Sequence, residues 1–160
     1  MTFKHEARRP STTWLVVADR GRARIFDGEW PALDELREIK TLVHPEGELH
    51  PRDVESDEPG RLYEAKGPKH AAQAKTDFKH RTAIKFAHQI VRELQKGQDE
   101  NAFGRLILVA APLILGVLRE ELPDPLRKLV VADLDKDLTH FDANTIRAEI
   151  RERIAAAAIS

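Results

Sequence analysis

Residues Trp14–Gly28 read WLVVADRGRARIFDG. Two apolar runs flank Asp19-Arg20-Gly21, a short link whose glycine tolerates the backbone of a tight turn, so the stretch reads as a β-hairpin. The first run, Thr12–Ala18, is nearly continuous in apolar residues. The second, Arg22–Phe26, alternates, which puts Arg22 and Arg24 on one face. Downstream, Leu36–Val43 alternates apolar and charged residues as a half-exposed third strand does, after a loop opened by Trp30-Pro31. Residues 1–11 form no pattern and read as a flexible N-terminal tail.

The hairpin sets the register for the rest. A helix is predicted from Lys69 to Lys96, ending at Gly97, because Ala83, Ala87, Ile90 and Leu94 recur on one face. A rotation of about 100° per residue puts Arg81, Lys85, His88 and Arg92 on the opposite face. Arg105–Ala110 is an almost unbroken apolar run, the mark of a strand covered on both sides. Pro112 suits the first turn of a helix over Leu113–Leu122, which Pro123 and Pro125 end. Leu129–Leu134 reads as the last strand, and Asp142 as the cap of a final helix from Ala143 to Ala157. Three hairpin-linked strands followed by alternating helices and strands predict an α/β domain over 12–160. Its mixed sheet has about five strands, with helices on its faces.

Bulk properties narrow the function. The chain has 160 residues, 26 Lys and Arg against 27 Asp and Glu, and no cysteine. The near-neutral balance provides no global field toward nucleic acid or membrane, so such attraction must come from local patches. Absent cysteine excludes disulfides, thiolate metal sites and a cysteine nucleophile. No apolar segment follows the basic N-terminus as in a signal peptide, and Leu106–Leu118 is too short to span a bilayer. The expectation is a cytoplasmic protein.

The most distinctive local charge lies between the third strand and the long helix. Residues 44–68 carry four prolines and little periodicity, which predicts a long loop. From Arg61 to Lys96 there are nine Lys or Arg against Glu64, Asp77 and Glu93, with His70, His80 and His88 besides. Such a strip can neutralise phosphates without reading sequence. Tyr63 is the one aromatic in the loop placed to stack on a base. The same cations can equally be an ordinary solvated face, and the acidic residues before Arg61 a clasp over them or a solubilising stretch. Arg20, Arg22 and Arg24 offer forks matched to phosphate oxygens, or simply a soluble outer strand.

Other chemistries find less. His44 and His50 flank Glu46 and Glu48, but at no zinc or calcium spacing. Asp19, Asp133 and Asp135 lie near strand ends, where a two-metal nuclease would gather carboxylates. No G-x-S-x-G elbow and no G-x-x-x-x-G-K-[ST] loop occurs. No catalytic residue, metal or cofactor is assigned.

Five strings in order, VVADRGRARIFD, ESDEPGRLYEAKGPKHA, DFKHRTAIKFAHQIVREL, RLILVAAPLILGVLREEL and LDKDLTHFDANTIRAEI, resemble the bacterial host attachment family. That family is in turn distantly similar to the central domain of archaeal and eukaryotic peptide-release factors and of pelota. The resemblance implies a ribonuclease-H-like fold and a tie to the ribosome or tRNA. In release factors a Gly-Gly-Gln loop meets peptidyl-tRNA. Here the corresponding AKGPKHAAQAK has Gly67 followed by Pro68, with Gln73 displaced.

The expected function is therefore a non-enzymatic RNA- or ribosome-binding module. Its contacts are Arg61, Lys66, Lys69, His70, Lys75, Arg81, Lys85, His88 and Arg92, assisted by Arg20 and Arg22. The alternatives are a degenerate release-type hydrolase, with His70 and Gln73 as its candidates, or a nuclease. A further alternative is an interaction protein acting in attachment to host cells.

Overall fold

The computed structural model describes residues 10–48 and 67–159, with side chains over 10–47 and 71–157. Strands β1 (Thr12–Ala18) and β2 (Arg22–Glu29) form the expected antiparallel hairpin, with Leu15 opposite Phe26 and Ala18 opposite Ala23. Asp19 fixes the turn: its Oδ1 accepts the Gly21 and Arg22 N–H groups at 2.8 Å each. β3 (Arg37–Val43) pairs antiparallel with β2, with a bulge at Ile25/Phe26. β4 (Arg105–Ala110) joins β1 in parallel, and β5 (Val130–Asp135) joins β4 in parallel. The result is an open five-stranded mixed sheet in the order β3-β2-β1-β4-β5.

Helices cover both faces. On one lie α1 (Gly67–Asp99) and α2 (Pro112–Glu121), packing Phe86, Ile90, Leu94 and Leu115 over Val16, Ile25 and Leu108. On the other lies α4 (Ala143–Ile159), whose Ile146, Ile150 and Ile154 meet Leu15, Val17 and Val109. This two-sided cover is why β1 and β4 are apolar at consecutive positions rather than alternate ones. Each fully buried Leu or Ile adds about 1.5–3 kcal/mol. β3 differs: as an edge strand it buries only Leu42, so it is less covered than its alternation predicts.

Three boundaries differ from expectation for physical reasons. Gly97 does not end α1. A Cβ there would lie 2.4 Å from Trp14 Cη2, so the glycine lets β1's tryptophan pack against the helix, where it also stacks on Phe103 with ring centroids 4.5 Å apart. The stop lies further on. Asn101 is left-handed at φ 56°, Asn101 N–H donates to Gln98 O, and Ala102 N–H donates to Gly97 O. Together these satisfy the last carbonyls of the helix. A single-turn helix, α3 (Asp124–Arg127), follows α2 where only a proline-rich break was expected. Finally, the stretch after β3 begins as a 3₁₀ turn, Pro45–Glu48, rather than as loop. Residues 49–66, and with them Tyr63, His50 and most of the acidic stretch, lie outside the described residues.

Candidate polyanion interface

The exposed face of α1 follows from its buried one. Ala83, Phe86, Ala87, Ile90 and Leu94 are fully buried, which turns Arg81, Lys85, His88 and Arg92 to solvent together with Lys75, Lys79, His80 and Lys96. From Arg81 to Lys96 the file is about 22 Å long at 1.5 Å per residue. Its middle is interrupted by carboxylates. Lys85 Nζ lies 3.5 Å from Glu46 on the 3₁₀ turn, and His88 Nε2 meets Glu121 of α2 at 2.5 Å. Lys75, Lys79, Arg81, Arg92 and Lys96 have no ion pair among the described residues. The predicted strip is therefore a file of three unpaired cations, Arg81, Arg92 and Lys96, around a neutralised centre; Lys79 lies four and seven residues before buried Ala83 and Phe86, so it and Lys75 stand off that face.

The other expected contacts are not gathered here. Arg61 and Lys66, and the side chains of Lys69 and His70, lie outside the described residues. Arg20 sits half-buried in the hairpin turn, where its Nε finds no hydrogen-bond partner. A Cβ on Gly47 would lie 1.8 Å from the Arg20 carbonyl oxygen, so the 3₁₀ turn rests directly on the hairpin. Arg22 is placed on the opposite face of the sheet from α1, because Ala23 and Ile25 take the α1 side and alternation sends Arg22 and Arg24 to the other. It cannot assist the helix as expected. Phe78 is buried, so α1 offers no stacking platform among the described residues.

On that opposite face Arg24 is a fastener. Its guanidinium donates to Glu38 through Nε and Nη2, the latter at 3.0 Å, and through Nη1 to the Thr139 and Phe141 carbonyls at 2.9 and 2.6 Å. This hydrogen bond from Arg24 holds the Glu38 carboxyl below its ordinary range. Arg22 Nη2 donates to the Thr139 carbonyl at 2.7 Å and to His140 Nδ1 at 3.1 Å. The Thr139 hydroxyl, fully buried, bridges Asp19 Oδ2 and Asp137 Oδ1 at 2.9 and 2.7 Å. Sequence reading missed Arg24's fastening and the Thr139–Phe141 loop, since their partners lie about 115 residues away along the chain.

Two of the three carboxylates considered for nuclease chemistry are committed elsewhere. Asp19 caps its turn and holds Thr139, while Asp133 pairs with Arg119 at 2.9 Å. Among the described residues no group of three or more His, Asp or Glu is disposed to hold a metal ion. His44 is buried instead, stacked on Phe86 with centroids 5.0 Å apart and planes 8° apart. Its Nε2 lacks a hydrogen bond and stands 3.9 Å from Glu46 Oε1. Burial lowers its pKa from 6.5, aided by Lys85 and opposed by Glu46 and the Thr82 backbone. No helix among the described residues is long and apolar enough to cross a membrane.

Fold and site define a mixed α/β sheet protein with one cationic helical face and a second, arginine-lined face behind it. A family profile described as "Protein required for attachment to host cells" matches residues 14–150, and the chain belongs to that family. An uncharacterized protein of Rickettsia prowazekii (strain Madrid E) is 29% identical over 76 residues, covering 46% of this chain. The match takes in 49% of that relative, so the chain spans about half the length of the curated relative it matches.

Proposed function

We propose that the protein is a non-enzymatic RNA-binding member of the host attachment family. It acts in the cytoplasm on the ribosome or tRNA, with a ribonuclease-H-like core akin to that of release factors and pelota. The observation that carries this reading is the file of unpaired cations on α1: Arg81, Arg92 and Lys96. Three hairpin-linked strands continued by two parallel crossovers support the core assignment. Docking is electrostatic: each neutralised phosphate releases counterions, so affinity falls linearly in log salt. Three contacts give a slope of about −2.1 to −2.7. Labelled tRNA titrated by fluorescence anisotropy between about 50 and 200 mM salt tests it. Absence of binding at the low end removes the proposal.

The family description favours a second reading, an interaction protein in attachment to host cells. Release of this chain by protease treatment of intact cells would support that reading over the first.

A further inference from the structure

Behind the sheet from α1, β2, β3 and the Thr139–Asp142 loop border an open hollow lined by Arg22, Arg24, Glu38, His140 and Phe141. We propose that this pocket, through Arg22, His140 and Phe141, binds a nucleoside monophosphate, either free or as the terminal nucleotide of an RNA strand.

The argument begins with charge. Arg22 has no carboxylate within ion-pair distance among the described residues. It is held in place only by neutral acceptors, the Thr139 carbonyl and His140 Nδ1. Both contacts use Nη2, leaving the Nε and Nη1 donors without a partner among the described residues. The two acidic groups at the rim are already engaged. Glu38 is spent on Arg24 and Thr41, and Asp142 accepts the Thr145 N–H at 2.8 Å as the cap of α4. Glu38 acts on Arg22 only beyond ion-pair distance, and an ordered guanidinium with free donors is a seat for an anion, its planar fork suiting phosphate.

The second element is His140. Arg22 can only donate, so in this contact His140 Nδ1 accepts and Nε2 bears the ring N–H. That N–H, on an exposed ring beside the guanidinium, is a further donor for phosphate oxygen.

The third is Phe141, 46% exposed and one of three large apolar side chains so exposed among the described residues. Nothing in the apolar core needs it there. Its backbone is fixed by Arg24 Nη1, which donates to its carbonyl, and by its own N–H, which donates to Leu138 O. An exposed aromatic on a fixed backbone, beside an arginine with free donors, fits a flat base joined to a phosphate. Stacking on such a ring is worth enough for five- to hundredfold changes in affinity.

The site is separate from α1, so its failure and that of the RNA-docking reading are distinguishable. Adenosine 5′-monophosphate, adenosine and inorganic phosphate are titrated calorimetrically against the full chain. The monophosphate is expected to bind at least about tenfold more tightly than either half, the stacking and ionic contributions combining. Phe141→Ala should cost the monophosphate about tenfold and leave phosphate unchanged. Arg22→Met should weaken both, with circular dichroism confirming the fold because Arg22 also props Thr139. Arg81→Ala/Arg92→Ala should change neither. A 5′-phosphorylated single-stranded oligonucleotide identifies the source: tighter binding than the monophosphate assigns the pocket to RNA ends, equal binding to free nucleotide. A monophosphate that binds no better than phosphate, or binding indifferent to Phe141→Ala, overturns the proposal.

Discussion

Arginines on β2 and cations on α1 look alike in the sequence and behave oppositely in the fold. Arg24 is mostly enclosed, with 15% of its side chain exposed, and each of its nitrogens donates to a fixed acceptor. Arg81 and Arg92 stand in solvent without an ion pair. What separates them is the neighbouring backbone. Beside Arg24 runs a loop whose carbonyls have no ladder to join, and the guanidinium satisfies them. Around α1 the carbonyls are already paired within the helix, so a cation there finds only carboxylates or water. A buried cation stabilises; an exposed one is available for a partner.

The sharpest way to break this contrast is Arg24→Ala. It strands the Thr139 and Phe141 carbonyls and leaves Glu38 without its main partner. Charged hydrogen bonds of this kind are worth about 1.5–3 kcal/mol each before relaxation. A loss of about 2–4 kcal/mol in urea unfolding is expected. A loss below 0.5 kcal/mol would show that the loop does not depend on its fastener.

Gly47→Ala tests the joint between the two regions. The 3₁₀ turn touches the hairpin through Gly47 and α1 through Glu46 and Lys85. Because the obstructing atom is a backbone carbonyl oxygen, the turn must shift, at a cost of about 1–3 kcal/mol. If thermal unfolding is unchanged, the close approach of turn and hairpin is not part of the stable fold.

Much of this could be read from residues in advance. The hairpin, the inward face of α1 and the two-sided burial of β4 follow from apolar periodicity, which is a local signal. The stop at Asn101 was missed because Gly97 is the commoner terminator, and only the approach of Trp14 from β1 shows what that glycine is for. The candidate sites were harder still. Spacing placed Arg81, Lys85, His88 and Arg92 on one face, but no pattern announces that Glu46 and Glu121 come round to cover the middle two. Likewise, alternation put Arg22 and Arg24 together, while the loop that engages them lies over a hundred residues on. Charge pairing between distant segments has no period, so it stays silent until the chain is folded.

His44 sharpens the joint by pH. Its pKa is lowered in the folded state, chiefly by burial, so the unfolded chain binds the proton more readily. Stability from this group is full above its ordinary value of 6.5 and declines as pH falls below it, toward the lowered folded value. Urea midpoints at about pH 7.5 and 5.5 should therefore separate in the native chain and converge in His44→Gln, after allowance for any uniform shift. Equal separation in both would assign the pH dependence to other groups.

Least costly to the fold is Arg81→Ala with Arg92→Ala. Neither guanidinium holds a backbone group or a carboxylate among the described residues, so unfolding should move by no more than about 0.5 kcal/mol. The effect belongs to binding. Losing two phosphate contacts should reduce the salt slope for tRNA by about 1.4–1.8, weakening tRNA most at low salt. Arg81→Lys with Arg92→Lys should keep the native slope, because counterion release depends on charge rather than on fork geometry. Glu46→Gln is the converse: it leaves Lys85 uncovered and should steepen the slope by up to about 0.9. If the two substitutions moved stability while tRNA binding held, α1 would be a structural face like that of Arg24. The difference between the two regions would then be one of exposure alone.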